Sequence, residues 1–131
     1  MLVTKQLLEI ARARILDAKI LLEAKRFHGA MYLCGYAVEV RLKWRICKTL
    51  GWKEFPEKDG EFKGLGTFKT HDLDVLLRLS GTEALVKRRY FAEWSQVAQW
   101  DPEVRYKPIG TATKPDAQQM FTAASTLAKV L

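Results

Sequence analysis

The stretch Ala30–Lys43, AMYLCGYAVEVRLK, decides the fold. It is built from strong helix formers, and its apolar side chains point almost all the way round. Leu33, Val40 and Trp44 fall on one side of a helix, and Met31, Val38 and Leu42 on the opposite side. A helix with no single apolar face sits between neighbours, not on a surface. Glu39 and Lys43, four residues apart, share one stripe of it. Charges on an otherwise buried helix are costly unless they are paired or used. These two residues are therefore the first candidates for a site. Either they form a simple intrahelical ion pair, or they wall a cleft that receives other polar groups.

Working outward, the flanking segments also read as helices. Leu7, Ala11, Ile15, Ala18 and Leu22 have the three-and-four spacing of an amphipathic helix over 5–25, with Gly29 near its end. The central helix is expected over about Phe27–Leu50, with Gly51 as its C-terminal cap. Residues 51–69 hold four of the eight glycines and one proline, and so read as a long loop. Its Trp52, Phe55, Phe62 and Phe68 argue that part of it folds back onto the helices. Thr70 is placed to cap a third helix over His71–Leu79. Ser80-Gly81-Thr82-Glu83 offers capping-box spacing for a fourth over about 82–99. Pro102 and Pro108 bound an irregular segment, and Pro115 suits the first turn of a last helix over 115–130. No strand-like alternation, repeat or low-complexity tract is visible. The expectation is an all-α, up-and-down bundle of about five helices forming one domain over 1–131.

A chain of 131 residues can bury roughly two-thirds of its unfolded surface without staples. No run approaches the ~18 apolar residues of a membrane span, and no signal-peptide order is present at the N-terminus. Cys34 and Cys47 lie thirteen residues apart on the central helix. That is ~19 Å along the axis, too far to bridge, so they read as small buried hydrophobes in a reducing, cytoplasmic setting. Twenty-two basic residues against fifteen acidic leave a net charge of +7. This favours an anionic partner such as a nucleotide or nucleic acid. The simpler alternative is that basic excess serves solubility alone.

His28 and His71 are the only histidines, 43 positions apart, and neither has Cys or His at ligand spacing, so no metal and no cofactor is implied. The glycines of 60–66 lack the setting and the following Lys of a phosphate loop. A Cys–His nucleophile is disfavoured because both thiols look packed. His71, at a helix start beside Asp72, is either a surface residue or a neutral imidazole placed for hydrogen bonding. Arg105 is a bidentate partner for Glu39 or for a phosphate, whereas Trp100 and Tyr106 suit packing at the bundle end. Arg41, Arg45 and Lys48 form a basic stripe on another side of the central helix from Glu39 and Lys43, a possible footprint for phosphates. Lys87-Arg88-Arg89 is read as solvated face.

Three pieces in order, YLCGYAVEVRLK (32–43), THDLDVL (70–76) and WDPEVRY (100–106), resemble the HEPN family of small helical domains, over roughly residues 5–130. The resemblance implies a helical bundle that pairs as a homodimer. It implies either a metal-independent ribonuclease toxin, often encoded beside a minimal nucleotidyltransferase antitoxin, or a nucleotide-binding or non-catalytic partner protein. Nuclease members carry an Arg followed four to six residues later by a His. Here Arg26 precedes His28 by two, and no histidine follows Arg105, so that motif is absent. The leading expectation is therefore a nucleotide- or RNA-binding domain with Glu39, Lys43, His71, Asp72, Arg105 and Tyr106 as contacts. The alternatives are an atypical ribonuclease using His71 and Arg105, and a protein-interaction module whose polar cluster is only structural.

Overall fold

The computed structural model describes residues 2–108 and 110–131, with every side chain in these ranges except those of Val104 and Arg105. Helices dominate it: α1 (Thr4–Glu23), α2 (Phe27–Leu50), α3 (Leu73–Ser80), α4 (Glu83–Arg89), α5 (Phe91–Val97) and α6 (Lys114–Val130). The all-α reading holds, and among the described residues no helix is long and apolar enough to cross a membrane.

α2 is the axis of the molecule. Ten of its residues are buried, from Ala30 to Cys47, and it packs against α1, α3 and α6. Gly51, at φ 70°, closes it in the left-handed conformation that a glycine reaches without strain. α1 returns alongside α2 in the opposite direction. The hydroxyl of Thr4 at its start donates to the carbonyls of Trp52 (3.0 Å) and Lys53 (2.8 Å), just past the end of α2.

The loop after α2 folds back, as its aromatics demand. Phe55 is fully buried; Trp52 lies 4.9 Å from Phe68 and Phe62 6.3 Å from Phe55, centroid to centroid. Two features there were not foreseen. Leu2–Val3 (β1) and Glu54–Phe55 (β2) pair antiparallel, Leu2 opposite Phe55, and two 3₁₀ turns occupy Asp59–Phe62 and Gly66–Phe68. A two-residue strand is too short for alternation to reveal it.

The expected fourth helix is two. Tyr90, at φ −129° and ψ 32°, interrupts it between α4 and α5. The break lets α4 follow α3 while α5 turns to lie on α6. No Pro or Gly marks it, because tertiary packing sets it. The α3 cap also differs. Asp72, not Thr70, is the N-cap: its Oδ1 accepts from the amides of Asp74 (2.9 Å) and Val75 (3.2 Å). Thr70 Oγ1 accepts from the Asp72 amide instead. A carboxylate also answers the positive end of the helix, which a hydroxyl does not.

Candidate functional site

Tyr32, Tyr36, Glu39 and Lys43 recur at four, three and four residues and so form one stripe along α2. Two later segments close over this stripe. One is the start of α3, which brings His71. The other is the end of α5 and the 3₁₀ turn Pro102–Tyr106, which bring Trp100, Pro102 and Glu103. Between them lies a crevice of about 530 Å³.

Gly35 seats its wall. A Cβ there would come within 2.2 Å of the Trp100 ring, so only glycine lets the indole lie against the α2 backbone. Trp100 is 8% exposed, and its ring centroid is 6.1 Å from that of Tyr32. Tyr32 and Tyr36 are nearly parallel, 6.5 Å apart at 4°. The Trp100 Nε1 donor is enclosed and has no hydrogen-bond partner among the described residues.

Glu39 is the floor, only 2% exposed. Its Oε1 is 2.8 Å from His71 Nδ1, and its Oε2 accepts from Lys43 Nζ at 3.1 Å. Each carboxylate oxygen thus has a donor, which is what a buried anion requires. The Lys43 ammonium also lies 5.5 Å from the Phe55 ring centroid, so the folded-back loop holds it in place. With Nδ1 directed at the carboxylate, His71 turns its Nε2 edge outward, and its side chain is 64% exposed. Burial, and then the Glu39 charge, push the Tyr36 phenol above its ordinary value despite an opposing effect from Arg14, which keeps it a neutral donor.

The sequence-chosen residues thus meet in part. Glu39, Lys43 and His71 come together. The Arg105 side chain lies outside the described residues, although its backbone belongs to the turn bordering the crevice. The Asp72 carboxylate is engaged as a helix cap. Tyr106 is 69% exposed, more open than the expected packing at the bundle end would leave it. Trp100 does pack there, and in doing so becomes a wall. Tyr32, Tyr36 and Glu103 were not singled out. The signal for the tyrosines was their place on the Glu39–Lys43 stripe, and an isolated glycine inside a helix pattern was the signal for a close approach at Gly35.

Arg41, Arg45 and Lys48 stand on the far side of α2. The Arg41 guanidinium covers the Trp44 ring at 4.2 Å. His28 Nε2 accepts from the Ala112 amide at 3.1 Å and so ties a loop. Cys34 and Cys47 are buried free thiols, and burial pushes Cys34 up to about 12. Among the described residues, no three His, Cys, Asp or Glu side chains converge in a metal-binding arrangement. Comparison with known protein families, with curated proteins and with solved structures finds no match for this chain.

Proposed function

We propose that this chain is a HEPN-like domain that binds a nucleotide or an RNA segment, holding the base in the crevice beneath Trp100. One observation carries the reading: a pocket walled by Trp100, Tyr32 and Tyr36 has a buried, doubly partnered carboxylate as its floor. Aromatic faces accept any base by stacking, at about 1–3 kcal/mol each. Glu39 and His71 offer an acceptor and an imidazole edge for hydrogen bonds to the base. Glu103 joins Glu39 at the lining, so the site suits exocyclic amino groups better than it suits phosphate. Homodimerisation and a nucleotidyltransferase partner belong to the same proposal, on the strength of the motif resemblance alone.

A second reading, metal-independent RNA cleavage, is favoured by the 2.8 Å contact between Glu39 and His71. A carboxylate that orients imidazole through Nδ1 leaves Nε2 to act as a base toward a 2′-hydroxyl. Its cation for the developing phosphorane charge would have to come from outside the Glu39 pair, because Lys43 is engaged there.

One experiment tests both. Adenosine, ATP and a labelled single-stranded RNA are titrated at low salt while tryptophan fluorescence is followed, and the RNA is then incubated in EDTA and scored for cleavage. Adenosine and ATP quench the wild type, and His71→Ala binds about tenfold more weakly, as losing one hydrogen bond predicts. If no nucleoside, nucleotide or RNA binds, the proposal is wrong. Equal cleavage by wild type and His71→Ala removes the catalytic role.

A further inference from the structure

On the face of α2 turned away from the crevice, three helices bring cations together around one groove. Arg41 follows Glu39 by two residues, about 200° around the helix. With Arg12 of α1 and Lys129 of α6 it lines a groove of about 450 Å³, completed by Ile15, Leu16, Ser125 and Ala128. No carboxylate is among these lining residues. Burial and the neighbouring charges of Arg12 and Arg45 hold the Arg41 guanidinium below its usual value. The Nε atoms of Arg41 and Arg45 are enclosed with no hydrogen-bond partner among the described residues. An enclosed, unpartnered N–H on a cation is costly, and like charges side by side add to the cost. An anion in the groove would relieve the like-charge repulsion at Arg41.

We infer that this groove binds phosphate groups of a linear polyanion. The arrangement is a track and not a point. α1 and α2 run antiparallel, and Lys5, Arg12 and Lys19 repeat every seven residues on α1, with Glu9 between the first two, as Arg41 and Lys48 do on α2. Seven residues are two turns, about 10.5 Å of rise. Lys5 and Lys48, both exposed, thus lie at the end of the hairpin where Thr4 bonds past the end of α2, beyond Arg12 and Arg41. A ligand with several phosphates in line meets successive cations, which one isolated phosphate cannot do. The ligand class is therefore a condensed phosphate or the phosphodiester backbone of a single strand, with its organic part against Ile15 and Leu16. The concave, three-helix wall favours such a strand over a membrane surface, although Leu16 and Ile20 are 61% and 63% exposed.

The site is separate from the crevice, and its test separates the two. The full chain is titrated by calorimetry with inorganic tripolyphosphate and with a single-stranded RNA oligonucleotide at several salt concentrations. Both bind the wild type. Engagement of four phosphates gives the RNA a slope of log K on log salt of about −3, at ~0.7 per phosphate. The doubly substituted Arg12→Gln/Lys129→Gln protein, altered at two exposed positions, binds both at least about tenfold more weakly, with a slope shallower by about 1.4. His71→Ala binds tripolyphosphate as the wild type does. A tighter RNA complex identifies the phosphodiester as the source, and a tighter tripolyphosphate complex identifies the condensed phosphate. Absence of tripolyphosphate and RNA binding overturns the inference, as does an unaltered double variant, or binding to phosphatidylserine vesicles alone. Fluorescence quenching by uncharged adenosine, which reports on the crevice, is unaffected by failure here.

Discussion

On one side of α2 the Glu39 carboxylate is 2% exposed, and both its oxygens are engaged, by His71 at 2.8 Å and by Lys43 at 3.1 Å. On the other side Arg41 stands against Arg12 and Arg45, and the guanidinium Nε of Arg41 and of Arg45 has no described partner. The same helix thus carries charge in two opposite ways. The matched cluster fixes geometry, since a buried carboxylate with two donors holds the rotamers of both. The unmatched cluster leaves a positive field that costs stability in the free protein and is relieved only by an added anion. Stability and affinity should therefore respond to substitution in the same direction on the first side and in opposite directions on the second.

The largest effect belongs to the crevice side, where Trp100 both packs the bundle and walls the pocket. Trp100→Ala removes a ring lying on Gly35 and Tyr32 and should destabilise by about 3 kcal/mol, as large-to-small changes of an aromatic core residue do. Gly35→Ala tests the same contact from the other partner. Its new Cβ, 2.2 Å from the indole, must expel the ring, at about 1–3 kcal/mol. Urea unfolding measures both, and both should abolish quenching by adenosine. A Gly35→Ala protein of wild-type stability would show that the indole is not seated there.

A middle-sized effect concerns the stripe that leads to Arg41. Cys34, seven residues earlier on that side, is fully buried, and burial pushes its thiol from 9.0 up to about 12. Between those values the unfolded chain has lost this proton while the folded chain keeps it. Stability therefore falls as pH rises through that window, by up to about 1.4 kcal/mol per pH unit, and Cys34 contributes little slope below about pH 8. Tyr36 and Cys47, also raised, act in the same direction, so the comparison that isolates Cys34 is wild type against Cys34→Ala. Thermal melts from pH 8 to 11 should show a shallower decline for the variant. Equal slopes would mean that this flank of α2 is wet.

How much of this was legible depended on the range of the cause. The bounds of α2 follow from its composition, its apolar girdle and Gly51, all local. The pairing of Glu39 with Lys43 is a four-residue spacing and was equally visible. Its contact with His71, 32 residues later, was only suspected, because nothing in a sequence measures how a long loop returns. The break at Tyr90 had no local signal; it exists because α4 and α5 serve different neighbours. The Arg12–Arg41–Lys129 groove needed three helices in register. The sequence offered the basic stripe of α2 but not the residues that face it.

The smallest effect is the one that separates the two sides most cleanly. Arg12 is exposed, and its charge is one of those that disfavour the charged form of Arg41, so it repels Arg41 in the free protein. Arg12→Gln should then raise stability at low salt by a few tenths of a kcal/mol, about the size of a like-charge pair on a helix surface. The gain should fade as salt approaches 1 M, where the screening length falls to about 3 Å. The same substitution should weaken tripolyphosphate binding. Gain in stability with loss of affinity is the pattern of a residue retained for its ligand rather than for the fold. A stability loss that persists at high salt would instead assign Arg12 to packing, and the two sides of α2 would no longer differ in kind.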